Sequence, residues 1–512
     1  MTMKRRKFIK SMGALGATLA APSVFNNSAF IKSASAAGVV QDANFVAPTV
    51  LPQVINIFLY GGPSELSANL TNIDDISANS QNPYEGVRGD ILMNMDPLDP
   101  TAPGQITPNG FWKDAGGLAM EDMLATADLS VYRTINRRKD NTRAHRNSIL
   151  SSQKSNLDIE MSGGVGTTLA SVLFANKAQL DGSALLNGRQ LEEMVLPFVS
   201  FEGESSGFAV DGSANSVNLP LQMRGISLDT GFDNPYARDL GIGNEAAIEA
   251  LVDKIAPATN SRFQKVADGF TNRKNLQSRI NGLKTNNDDA NLLPVLPDGD
   301  PDGNGTAGNN LLVYPANNRY SDRIKAAVTL AMQNPDSLYI TVGGGLGGWD
   351  DHDNAIEKYE DRMTDLMTVL RVAAKHIRLG TRNDINGNPL ATDNIVINVH
   401  GDFGRNVNLN GSMGWDHGNN QNLFTIGGSA IRPAGALGKV IGKTERFGNT
   451  GQNRQFTRPT SDSYEAEPMS IGSTVYSYFG VQNPEVLTAD ADMNPAGDPK
   501  IDETVGGELP LF

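Results

Sequence analysis

The chain has 512 residues with 43 Lys and Arg against 57 Asp and Glu, a formal charge of −14, and this balance argues against nucleic acid or an anionic membrane surface as partner. Cysteine is absent, which excludes disulfides, thiolate metal sites and cysteine nucleophiles; any metal site must be built from histidine and carboxylate, with Asn, Ser or water. The length suffices to bury a large core, as one big α/β domain or two unequal ones.

Residues 1–36 read as an export signal. Arg5 and Arg6 are followed by Phe8, Ile9 and Lys10, a mild apolar segment, and a small-residue cleavage site around Ala34, Ser35 and Ala36. Twin arginines ahead of such a segment imply the twin-arginine export machinery as partner and a bacterial periplasmic or secreted destination. Removing this segment leaves 37 bases against 57 acids, a more acidic mature chain. The apolar segment is short and alanine-rich for a membrane span, so no integral membrane domain is expected.

After a flexible lead (37–50), Leu51 to Tyr60 reads as the first core strand and runs into Gly61-Gly62-Pro63, with Ser64, Glu65 and Ser67 in the turn. A strand ending in such a turn is a place for a first functional side chain, which makes Ser64 and Ser67 candidate nucleophiles; a plain turn is the competing reading. Met120 to Ala127 predicts a short helix and Leu129 to Ile135 a strand. Beyond that strand, His145 sits between Arg143 and Arg146, either in the same crevice or as a structural histidine. Gly164 to Lys177 has helical spacing. Met194 to Phe201 reads as an edge or irregular strand because of Pro197. Residues 205–290, including Asn244 to Lys254 and Ser261 to Leu283, predict a helical insertion.

In the acidic loop 297–310, Asp298, Asp300 and Asp302 alternate ahead of Gly303, like the first half of a calcium loop. Asn309 stands where that loop needs a bidentate glutamate, so an acidic linker is the alternative. Tyr320 to Met332 predicts a helix and Leu338 to Val342 a strand. Ile356 to Leu379 is the clearest helix, with apolar residues three and four apart, and His376 extends it as a non-ligand. Ile395 to Val399 fits a buried parallel strand. Ser470 to Phe479 reads as a late helix and 481–512 as a loose acidic tail.

The chemistry concentrates between Leu338 and Gly428. Asp350 and His352 follow one strand, His400, Asp402 and Arg405 follow another, and Asp416 and His417 precede a third apolar run. A mostly parallel sheet displays ligands beyond the carboxyl ends of its strands, so these side chains can meet. Asp350, His352, Asp402 and His417, with Asp416 and His400 as further candidates, suit one or two divalent ions of zinc, manganese, iron or calcium. Adjacent acid and histidine also suit a carboxylate that orients a ligand histidine. Arg405 is placed to meet a phosphate, sulfate or carboxylate. Helix caps and salt-bridged loop anchors are the competing account of the same residues.

Together the segments Phe58 to Gly62, Arg143 to His145, Gly347 to His352, Gly401 to Arg405 and Asp416 to Gly418 resemble bacterial exported proteins carrying domain of unknown function 1501, a branch of the alkaline phosphatase and sulfatase superfamily. The resemblance implies an alkaline-phosphatase-like α/β/α sandwich over residues 51–480, with Asp350, His352, Asp402 and His417 carried over as site residues. Ser64 stands where the family usually has an aspartate ligand, so either one metal position is weakened or Glu65 substitutes. Trp349 replaces a phenylalanine, Asp351 a threonine, Gly401 a serine and Asp402 a glutamate. The implied activity is metal-dependent hydrolysis of phosphate or sulfate esters by Ser64, Ser67 or a metal-bound water, with His145 and Arg405 assisting. A non-catalytic exported binding or assembly protein on the same scaffold is the alternative.

Overall fold

The computed structural model describes residues 44–69, 107–139, 143–210, 219–233, 247, 250–252, 254, 261–343, 348–384, 386–447, 456–490 and 496–508. The export signal expected at residues 1–36, the glycine-rich run 344–347 and the helix expected at Asn244 to Lys254 lie wholly or largely outside the described residues.

In chain order the principal elements are β1 (Gln53–Leu59), α1 (Gly117–Ala125), β2 (Leu129–Asn136), α2 (His145–Lys154), α3 (Val165–Ala175), β3 (Phe198–Ser200), β4 (Ile226–Ser227), α4 (Ser261–Asp288), α5 (Ser321–Gln333) and β5 (Tyr339–Val342). They continue with α6 (Ala355–Leu379), β6 (Arg382–Asn383), β7 (Pro389–Leu390), β8 (Ile395–Gly401), β9 (Arg405–Leu409), β10 (Trp415–His417), β11 (Asn420–Gly427), β12 (Val440–Ile441), β13 (Thr444–Phe447), β14 (Phe456–Pro459) and α7 (Pro468–Tyr478). Eight strands form one sheet in the order β12-β2-β11-β8-β1-β5-β3-β4. Only β11 runs against its neighbours, pairing antiparallel with both β8 and β2. The sheet is therefore mostly parallel.

Period-two alternation along the strands builds two core layers. Ile55, Ile57 and Leu59 of β1, Ile340 and Val342 of β5, and Ile395, Ile397 and Val399 of β8 share one core with residues of α1, α5 and α6. Val54, Tyr339 and Val396 point the other way, into a core with residues of α3 and α7. Helices thus cover both faces of the sheet, a generic α/β/α arrangement. Val54, Ile55, Ile57, Ile340, Val396 and Ile397 are fully buried, each stabilising the fold by about 1.5–3 kcal/mol before ordering costs.

Three expectations need correction. Pro197 lies one residue ahead of β3, which is an interior strand between β5 and β4; the proline carbonyl accepts from Leu338 and Tyr339, so its missing N–H costs no ladder bond. The acidic loop does not gather its carboxylates on a calcium site. Asp300 is held by Lys375, Asp302 by Arg371 and Lys375, and Asp298 accepts from the Gly308 N–H, so the alternating aspartates anchor the loop to α6. The described tail is not loose: Asp498 pairs with Lys139 and Glu503 with Arg432, while Ile501 is buried.

Candidate metal centre

Four segments meet beyond the carboxyl ends of β1, β2, β5 and β8. The first is the turn after β1. Gly61 has φ +111°, and a Cβ there would lie 2.5 Å from the Asp350 nitrogen. Glycine is required because the loop from Trp349 to Asp350 packs directly on this turn, where the Trp349 N–H donates to the Tyr60 carbonyl. Asp351 then pairs with Arg362 of α6, whose guanidinium lies 5.2 Å from the Trp349 ring, so this loop is pinned from below.

The hairpin of β9 and β10 supplies His417, paired with Arg405 across the strands. It is stitched to the Asp350 loop by Trp415 N–H to the Asp351 carbonyl, Ala355 N–H to the Met413 carbonyl, and the Asn410 amide to the His352 carbonyl. The last segment is α2, whose first residue is His145. Its buried face is serine: Arg137 donates to Ser151 Oγ at 2.9 Å and to the Ser148 carbonyl at 2.7 Å, while its Nε donates to the Asp402 carbonyl at 2.6 Å. One buried arginine therefore fixes the start of α2 against the end of β8.

These contacts bring His145, Asp350, His352 and His417 together, with one ligand atom from each lying within 4.8 Å of the others. His145 Nε2 is 3.2 Å, His352 Nε2 2.9 Å and His417 Nε2 3.7 Å from Asp350 Oδ1. His352 Nε2 and His417 Nε2 are 3.0 Å apart. Each imidazole is held from behind through Nδ1: His145 by Asp402 Oδ2 at 2.7 Å, His352 by Asp416 Oδ1 at 3.2 Å, and His417 by the Arg143 carbonyl at 2.7 Å. A carbonyl or carboxylate only accepts, so in the neutral ring Nδ1 carries the proton and Nε2 presents a lone pair. Three lone pairs and a carboxylate oxygen then converge, a donor set able to hold a divalent metal ion. Asp350, Asp402 and Asp416 all touch the histidines, and these carboxylates favour a cation at the point where the rings converge.

The electrostatics agree. The hydrogen bond to Asp402 is the main cause that raises the His145 pKa, outweighing burial. Burial and the Arg405 charge lower that of His417, so a proton is a poor substitute for a metal between the facing rings. Burial would raise the Asp350 carboxyl, but the Arg405 hydrogen bond and charge, helped by His145 and His352, hold it below the usual carboxylate range. Three imidazoles and one carboxylate suit zinc, iron or manganese and not calcium, which prefers oxygen.

The remaining candidates take other places. Asp402 is fully buried and accepts from His145 and from Gly61 N–H at 3.1 Å, so it orients a ligand histidine and is not among the converging atoms. Asp416 does the same for His352. His400 lies outside the cluster: β8 continues to Gly401, leaving the ring inside the sheet, edge-on to Phe58 and bonded to Asn56, and burial pushes its pKa down to about 4. Arg405 is wholly buried, donating to Asp350 and to the carbonyls of Gly61, Gly62, Trp349 and Trp415, so it braces the turns and does not face an incoming anion. Ser64 caps a 3-10 turn and Ser67 is buried within it; neither reaches the cluster as a nucleophile. Glu65 is also internal, accepting from the Arg405 N–H at 3.1 Å and from the Thr457 hydroxyl, and does not replace a missing ligand.

A pocket of about 230 Å³ adjoins the cluster, lined by Arg143, His352, Asp416 and His417. Arg143 as a pocket wall escaped the sequence reading; its place beside His145 was the only clue. Among the described residues, no helix is long and apolar enough to cross a membrane. No protein-family model, curated protein or solved structure matches the chain.

Proposed function

We propose that the chain is an exported hydrolase of phosphate or sulfate esters that uses one divalent ion held by His145, Asp350, His352 and His417. The observation that carries this reading is the convergence of three Nε2 atoms on the Asp350 carboxylate, each ring fixed through Nδ1. This is the arrangement that metal-ligating histidines need. A bound divalent ion supplies Lewis acidity and lowers the pKa of coordinated water. The chain's own residues do the rest. Asp402, Asp416 and the Arg143 carbonyl keep the imidazoles in the ligating tautomer, Arg405 holds the Asp350 carboxylate in place, and the Arg143 side chain in the adjoining pocket is placed to receive an anionic oxygen. With Ser64 and Ser67 turned inward, the reading assigns no serine nucleophile.

The test is metal-loaded protein against 4-nitrophenyl phosphate and sulfate. Turnover should be lost with His352→Ala, and full metal content without turnover on either ester class would sink the hydrolase assignment. A second reading, a non-catalytic exported binding or assembly protein on this scaffold, draws on one feature. Ser64 and Glu65 are both spent on internal contacts at the turn where the resembled family carries an aspartate ligand. Export itself is tested by fusing residues 1–36 to a reporter: replacing Arg5 and Arg6 with lysine should stop translocation.

A further inference from the structure

Beside the small pocket at the cluster, and sharing Arg143 with it, is a larger groove of about 780 Å³, lined in part by Arg138, Arg143, Phe447, Arg458, Thr460 and Ser463. Arg143 belongs to both. Its carbonyl accepts from His417, and its Nε donates at 2.8 Å to Asn419, another groove residue. We infer that this groove seats an anionic oligosaccharide, with the reacting ester directed past Arg143 to the metal centre; the direction of the chain in the groove rests on the hydrolase reading above.

Charge is the first ground. In a chain of net −14, Arg138, Arg143 and Arg458 all line this groove. Two of these pair with partly exposed carboxylates: Arg138 with Glu465 at 3.2 Å and Arg458 with Glu445 at 2.7 Å. Such surface pairs are worth little and exchange readily for an incoming anion. Shape and surface chemistry are the second. Phe447 is 51% exposed on β13, with the Arg458 guanidinium 4.3 Å from its ring centre. The guanidinium lies over one face of the ring, so the half-exposed ring and the cation form one stacked, partly apolar surface. The exposed Ser461 and the half-buried Thr460, whose hydroxyl donates to Asp462 at 2.7 Å, line the same space. Platform, hydroxyls and spaced guanidinium groups match a sugar ring with its apolar face, its hydroxyls and scattered sulfates or phosphates. A single-stranded nucleic acid uses similar groups, but it carries a phosphate at every residue, which a chain of net −14 disfavours more than scattered charges on a sugar. The volume is that of a ligand larger than a simple ester.

The probe is a dextran sulfate oligosaccharide titrated calorimetrically into the full chain, both metal-loaded and chelator-stripped, beside uncharged dextran and an oligonucleotide of equal length. Saturable binding of dextran sulfate is expected in both protein forms, weakened about tenfold in Phe447→Ala and in Arg458→Ala and at least about tenfold for uncharged dextran. Phe447 is half exposed, so its variant keeps the fold. No dextran sulfate binding, unchanged binding in Phe447→Ala, or an oligonucleotide binding as tightly would overturn the assignment. Because the stripped protein is included, failure of the metal chemistry leaves this result standing.

Discussion

Replacing Asp402 with asparagine separates the role of a carboxylate behind the histidine from that of a ligand. The buried side chain accepts two N–H donors, His145 Nδ1 at 2.7 Å and Gly61 N at 3.1 Å. Asparagine has the same shape but only one oxygen. If that oxygen stays on Gly61, the new amide donates toward His145 Nδ1, which moves the ring proton to Nε2 and removes its lone pair from the cluster. Loss of such a partner weakens metal binding by about 10- to 100-fold, or roughly 1.4–2.7 kcal/mol. Asp416→Asn should cost less, because its contact to His352 is longer, 3.2 Å, and its side chain is 35% exposed. Competition of each variant with a chromogenic zinc chelator, with circular dichroism as the check on folding, measures both. Asp402→Asn binding within about twofold of the parent chain, well short of the expected loss, or Asp416→Asn losing more, would refute this ordering of contacts.

Gly61→Ala should lower both melting temperature and metal affinity. The positive φ alone costs about 1–3 kcal/mol for a residue with a Cβ, and that atom would strike the Asp350 backbone; unchanged zinc affinity would show that the turn does not position Asp350. Burial pushes His376 down to about 4 from 6.5. Between these values the unfolded chain takes up a proton that the folded chain refuses, so this group's contribution to stability is full above pH 6.5 and falls with pH toward 4. His376→Gln should therefore flatten the loss of stability between pH 6.5 and 4.5 by about 2 kcal/mol, read from urea midpoints across that window; parallel curves would contradict it. Burial pushes Glu65 and Glu467 up to about 7, which works oppositely: their folded forms hold protons that the unfolded chain releases, so they add stability as pH falls from 7 to 4.5. Asp302→Ala removes a partner shared by Arg371 and Lys375, which keep Asp122 and Asp300, and should destabilise the chain by about 1–2 kcal/mol. Calcium should not raise the melting temperature of the parent chain, whereas a calcium-dependent rise abolished by this change would restore the calcium loop.

The parts of the fold set by local patterning were legible. The apolar runs of β1, β5 and β8 and the three- and four-residue spacing of α6 place strands and helix within one or two residues of their observed ends. What was not legible depends on partners distant in sequence. Helix α2 carries no apolar stripe, because its buried face is Ser148, Ser151 and Ser152 packed against Arg137. No periodicity search finds such a helix. His352, His400 and His417 all lie within two residues of an aspartate, and only the length of β8 separates them: two further residues in the ladder keep His400 in the sheet and put Asp402 just beyond it. Arg405 looked like an anion receptor because its neighbours are polar. Its burial, with five acceptors from three segments (the turn after β1, the Trp349–Asp350 loop and β10), follows only from how those segments stack.

The central claim is one divalent ion on three imidazoles and Asp350, and elemental mass analysis tests it most directly on protein purified without chelators or a metal-affinity column. About one equivalent of zinc, iron or manganese per chain is expected, falling below about a tenth in His352→Ala, as the loss of a ligand requires. Less than about a tenth of an equivalent in the parent chain, unchanged after reconstitution with each of these metals, would contradict the account.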